Sequence, residues 1–124
     1  MNTVARRFLL ISGFGLTLGL IYASTGFAAG DPERGKHVYE KHCLLCHGQE
    51  GRGDGPQGKL MNPPAADFHA PDIRKKSNTK LLKTIKGGHP GTAMTGFEYE
   101  LDKQQLNDVL SYIRKLGGPP DKGI

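Results

Sequence analysis

The sequence has no tryptophan and only two cysteines among its 124 residues. Two cysteines exclude the multi-bridge framework that staples many small exported domains. One pair also falls short of a four-ligand zinc site made from two such pairs. Large apolar side chains are scarce: after residue 28 the aromatics are Phe68, Phe97, Tyr39, Tyr99 and Tyr112. A chain this short buries a modest share of its surface and often needs a staple, so something other than side chains is expected to complete the core. No segment alternates apolar and polar residues as a half-buried strand would, and there is no internal repeat. Acidic residues are missing from one stretch, where Arg74, Lys75, Lys76, Lys80, Lys83 and Lys86 follow one another with no Asp or Glu between them.

What is present begins with an apolar N-terminus. Arg6 and Arg7 precede the uncharged run Phe8 to Ala23, and small residues follow in "STGFAAG". A basic start, an apolar centre and a small-x-small site are the marks of a secretory signal peptide, here cleaved after Ala28. The rival reading is an uncleaved anchor, since a bilayer span takes about 20 apolar residues. Residues 1–28 are therefore set apart from one domain at 29–124. Removing Arg6 and Arg7 leaves 15 basic against 12 acidic residues, a formal charge of +3. That excess is too small to argue for nucleic acid. The run from Arg74 to Lys86 is either a solvated helix face or a docking patch for an acidic partner.

Three helices can be read in this domain. Asp31 and Pro32 open the first, as side-chain acceptor and as a residue with no N–H to leave unpaired. It runs into "CLLCHG". The second starts at Ser77 or Thr79, carries Leu81, Leu82 and Ile85 on one face, and stops at Gly87. The third has Asp102 and Gln105 in a capping-box pattern, and Leu106, Val109, Leu110, Ile113 and Leu116 at helical spacing. Between the first two, "GQEGRGDGPQG" and Pro63, Pro64 and Pro71 imply a long loop beside the cysteines.

On a helix, Cys43 and Cys46 project from one face, with His47 one turn past Cys43. Two thiols at this spacing can add to the two vinyl groups of one haem, and the imidazole can bind its iron. Cys-x-x-Cys-His is the haem c attachment signature. Zinc fails for lack of a fourth ligand and a thioredoxin-type dithiol for lack of a βαβ setting; a plain structural disulfide in an exported protein is the remaining alternative, and the signal peptide, the motif and the long loop together favour haem attachment.

From about Asp31 to Leu116 the chain resembles the class I c-type cytochromes. The resemblance rests on "GKHVYEKHCLLCHG", "GDGP", "PPAADF", "GTAMTGF" and "LSYIRKL". It implies an all-α cytochrome c-like fold of three to four helices and long loops around one covalently bound haem c. It implies that Gly35 and Tyr39 cross Val109 and Tyr112. It also implies that the other N–H of His47 donates to the carbonyl of Pro56, whose plain alternative is to shape a turn.

A low-spin carrier needs a sixth iron ligand. Met94 lies in the Gly-rich turn between the second and third helices, and the resemblance selects it too. Met61, 14 residues past His47, reads as core filler, and His89 is the bis-His alternative. Most of His37, His42, His69 and His89 read as ordinary surface histidines, with His89 and His69 the weak candidates for distal acid–base groups. A His/Met pair raises the reduction potential, because a thioether favours ferrous iron. The expected role is a monohaem electron carrier rather than a catalyst, exported to the periplasm and moving single electrons between redox donors and acceptors. An electron-entry subunit of an oxidoreductase complex is the alternative, with membrane attachment if the N-terminal segment is retained. An open iron site reacting with peroxide or small gases is the enzymatic competitor.

Overall fold

A computed structural model describes residues 29–119. The expected signal peptide lies outside those residues. The described chain holds five α-helices and one 3-10 turn: α1 (Pro32–His42), α2 (Leu44–His47), the 3-10 turn Gly58–Leu60, α3 (Pro71–Arg74), α4 (Asn78–Gly87) and α5 (Lys103–Gly117). No strand occurs among the described residues, and none of their helices is long and apolar enough to cross a membrane.

The helix starts follow from local hydrogen bonding. Asp31 accepts from the N–H groups of Glu33 at 2.8 Å and Arg34 at 3.4 Å, with Pro32 in the first turn. Ser77, rather than Thr79, caps α4 by accepting from Lys80 N–H at 3.2 Å. At α5 the capping box is complete: Asp102 accepts from Gln105 N–H at 2.8 Å, and Gln105 Oε1 accepts from Asp102 N–H at 3.0 Å. The first helix does not run unbroken through the cysteines. It ends at His42, and Cys43 leads into the separate turn α2. The Gly/Pro-rich stretch also contains α3 and the 3-10 turn, both too short to leave a periodic signal.

α1 crosses α5, and the crossing needs Gly35. A Cβ at that position would sit 1.9 Å from the Asp108 carbonyl oxygen, so only glycine permits this approach. One turn on, Tyr39 packs edge-on to Tyr112 with ring centroids 5.2 Å apart, and to Phe68 at 6.3 Å. Val109 and Tyr39 are the least exposed of the core side chains, at 0% and 1%. The expected Gly–aromatic crossing is therefore present. Asp108 fastens it: its carboxylate accepts from Arg34 Nε at 2.8 Å, Arg34 Nη2 at 3.1 Å, Asp31 N–H at 2.7 Å and Gln104 Nε2 at 2.8 Å. The Arg34 guanidinium and the other donors hold the Asp108 carboxyl below the usual carboxylate range despite its burial.

The loop after α2 folds back on it. Gly53 N–H bonds His47 O at 2.9 Å, Gln57 N–H bonds Leu45 O at 3.1 Å and Phe68 N–H bonds Gly51 O at 2.7 Å. The Tyr39 hydroxyl donates to Gly48 O at 2.6 Å. Residues far from α2 in sequence are thereby brought against His47.

Candidate functional site

Cys43, Cys46, His47 and Met94 line one cavity of about 400 Å³, a size typical of sites for small molecules and cofactors. Its walls are mostly apolar, with Phe68, Ile73, Leu81, Ile85, Phe97 and Ile113 among them. α2 supplies the pentapeptide. The one turn is tied by His47 N–H to Cys43 O at 2.9 Å. The segment between α4 and α5 supplies Met94, which is half-buried.

His47 is oriented by three contacts. The ring is buried, 9% exposed, and stacks on Phe68 with centroids 4.6 Å apart and planes at 21°. Its Nδ1 lies 3.1 Å from the Ala66 carbonyl oxygen. A carbonyl only accepts, so Nδ1 carries the proton and the lone pair is left at Nε2. Burial pushes the imidazole pKa down, and the bond to Ala66 offsets this only in part. The ring is thus held neutral, the form that ligates a metal.

Pro56 was the expected acceptor for this N–H, and the structure corrects it to Ala66. Pro56 is exposed on the turn that follows α2, whereas the chain after Pro63 and Pro64 returns alongside His47. The acceptor is a backbone carbonyl, which every residue has, so its identity depends on loop path and leaves no mark in the side-chain pattern. Phe68 was also missed as the stacking partner of His47. The aromatic in "PPAADF" was its only trace.

Burial pushes the Cys43 thiol up to about 12, with the neighbouring Cys46 adding to it. Among the described residues no group of three or more His, Cys, Asp or Glu is arranged to hold a metal ion. Two thiols, a neutral imidazole and a thioether on one apolar cavity instead fit a haem held by two covalent links and two axial donors.

Two further residues join this cavity that the sequence did not place there. Met61, read as core filler, is half-buried on its wall. His42, read as a surface histidine, also lines it, with 18% of its side chain exposed. His42 Nδ1 lies 3.7 Å from Glu100 Oε2 and its ring packs edge-on to Phe97 at 5.7 Å. His89 lines the cavity from the exposed side of the Met94 loop.

The basic run is not uniform. Lys75, Lys80 and Lys83 are exposed, while Lys86 pairs with Glu98 at 3.2 Å. Lys76 lines the cavity, and its carbonyl accepts from Arg114 Nη2.

The cytochrome c family profile matches residues 32–117. Cytochrome c2 of Rhodomicrobium vannielii is 30% identical over 114 residues, covering 80% of this chain and 90% of that one. The CcoP subunit of a cbb3-type cytochrome c oxidase from Azospirillum brasilense is 30% identical, covering 82% of this chain and 33% of the subunit. The chain thus spans about a third of the length of that larger relative. Among solved structures, the Kuenenia stuttgartiensis reducing HAO-like protein complex matches with a TM-score of 0.62 at 26% identity, over 71% of this chain and 43% of that one. The KustC0563 c-type cytochrome matches with a TM-score of 0.58 at 24% identity, over 66% of this chain and 95% of that one, a likeness of fold.

Proposed function

This chain belongs to the cytochrome c family, whose proteins carry covalently attached haem c, and we propose that it is a monohaem carrier of single electrons between redox partners. One observation supports this most directly. Four donors of the right kinds, Cys43, Cys46, His47 and Met94, meet on a single cavity with apolar walls.

When bound, haem supplies the one-electron step, its iron alternating between ferric and ferrous. The chain's own residues do the rest. Cys43 and Cys46 would hold the group through thioether bonds at their Sγ atoms. His47 would offer the Nε2 lone pair while its proton stays on Nδ1, held against Ala66 O. Met94 would offer its sulfur, which favours the reduced state. Ile85, Phe97 and Phe68 exclude water, which limits the solvent rearrangement that a change of charge provokes. Ligands that serve both oxidation states keep the geometry constant through transfer. The pyridine haemochrome and the oxidised and reduced absorption spectra of the purified protein test this. One covalently bound haem with a low-spin spectrum and a sulfur-to-iron charge-transfer band is expected. Loss of all haem on acid-acetone extraction would refute covalent attachment.

Export to the periplasm is proposed on the apolar segment before Gly30, by the signal-peptide pattern of its sequence. N-terminal sequencing of the mature protein checks it, and an intact Met1 would leave the retained-anchor reading instead. A role as the electron-entry subunit of a larger complex is the second reading. It is favoured by the similarity to an oxidase subunit of which this chain spans 33%. Docking through Lys75, Lys80 and Lys83, with Arg74, Lys76 and Lys86 beside them, suits an acidic partner in either role. Co-purification at low salt separates the two: a stoichiometric complex means a subunit, a free monomer a carrier.

A further inference from the structure

The turn that presents Met94 is closed through one side chain. Thr92 Oγ1 donates to the His89 carbonyl at 2.8 Å and accepts from the Met94 N–H at 3.2 Å. The backbone closes the same turn: His89 N–H reaches Met94 O at 3.0 Å, and Thr92 N–H reaches His89 O at 3.1 Å. Thr92 is half-buried and lines the cavity beside Met94. On the far side the chain is fixed to the end of α4 by Phe97 N–H to Ile85 O at 3.0 Å and Glu98 N–H to Lys86 O at 3.1 Å. At the near side Gly88 takes φ +77°, and a Cβ there would lie 2.7 Å from Met94 O, so the two strands of the turn touch.

We propose that Thr92 is the positioning residue for Met94: its hydroxyl bridges His89 O and Met94 N–H, and so fixes the backbone from which the sulfur reaches the iron. The inference rests on Met94 being the second axial ligand. The need for such a brace is physical. Gly87, Gly88, Gly91 and Gly96 give this segment wide conformational freedom. A neutral thioether is also a modest donor, so its hold on the iron depends on how well the loop is preorganised. With the hydroxyl in place, a competing ligand enters only when the turn opens locally.

Valine matches threonine in shape and removes both side-chain bonds. The test mixes the oxidised holoprotein with imidazole and follows loss of the sulfur-to-iron charge-transfer band. Thr92→Val is expected to exchange about tenfold faster than the parent, while Thr92→Ser, which keeps the hydroxyl, stays within about twofold. Far-UV circular dichroism of all three should coincide. Exchange of Thr92→Val at the parent rate overturns the proposal. So does Thr92→Ser exchanging as fast as Thr92→Val, which would assign the effect to side-chain bulk. Should Thr92→Val take up no haem, amide hydrogen exchange of Met94 in the parent decides. Protection supports the bond to Thr92, and exchange at open-chain rates overturns it. A parent protein without the band removes the Met94 reading and the brace with it, whereas a band insensitive to Thr92→Val removes the brace alone.

Discussion

At the scale of single residues, His47 carries the most constraint. Burial keeps it neutral, Ala66 O fixes its tautomer, and Phe68 fixes its plane. These contacts explain how a turn of only four residues can present a fixed, neutral imidazole: the ring is held from outside the turn. Phe68→Ala is expected to destabilise the folded protein by about 3 kcal/mol, because it empties a buried ring site between His47 and Tyr39. The covalent haem should remain, since Cys43 and Cys46 are untouched. Chemical denaturation followed by absorbance of the haem and by circular dichroism checks this, and an unchanged midpoint would show that the stack is dispensable. That Cys43, Cys46 and His47 belong together was legible in the sequence, because the motif is a matter of side-chain type at fixed spacing. Ala66 was not, because any residue in its place would offer the same carbonyl.

At the scale of elements, the crossing of α1 and α5 organises the molecule, and two residues make it specific. Gly35 lets the backbones meet, so Gly35→Ala must push the helices apart, with an expected cost of at least about 2 kcal/mol. The unfolding free energy in denaturant measures it directly. Asp108 makes the crossing sensitive to acid. Its folded pKa lies below the unfolded value of about 3.9. Its contribution is therefore complete above that value and is lost as pH falls from about 4 through the folded pKa. Asp108→Asn is expected to lose about 2 kcal/mol at pH 7, discounted because Arg34 is exposed. It should also flatten the decline in stability below about pH 4, which denaturation at a series of pH values would record. An equally steep acid limb in Asp108→Asn would place the acid sensitivity elsewhere. The starts of α1, α4 and α5 were readable because each cap is a bond within three residues. The break at Cys43 was not, since no proline or glycine marks it.

At the scale of the whole molecule, charge is the property that a partner meets first. Lys75, Lys80 and Lys83 stand exposed, and Lys86 is partly neutralised by Glu98. The triple change Lys75→Glu, Lys80→Glu and Lys83→Glu is expected to slow oxidation of the reduced protein by ferricyanide about tenfold at low ionic strength. The difference should shrink as salt is added. Stopped-flow rates at several salt concentrations test this, and rates that do not respond to the reversal would show that steering works through another face. The family and the haem follow from a pattern that covers most of the chain. The cavity depends on packing as well, because Met94 reaches it only where Phe97 and Glu98 are tied to the end of α4.

The sequence by itself determined the α-helical class, the helix starts and the covalent attachment motif. Each of these depends on which side chains stand a few residues apart or recur at helical spacing. Only the tertiary structure decided that Ala66 rather than Pro56 orients His47, that Met61 and His42 share the cavity, and that Lys86 leaves the basic run to pair with Glu98. Those outcomes depend on where a glycine- and proline-rich loop travels and on backbone groups common to every residue, and neither is written in the order of side chains.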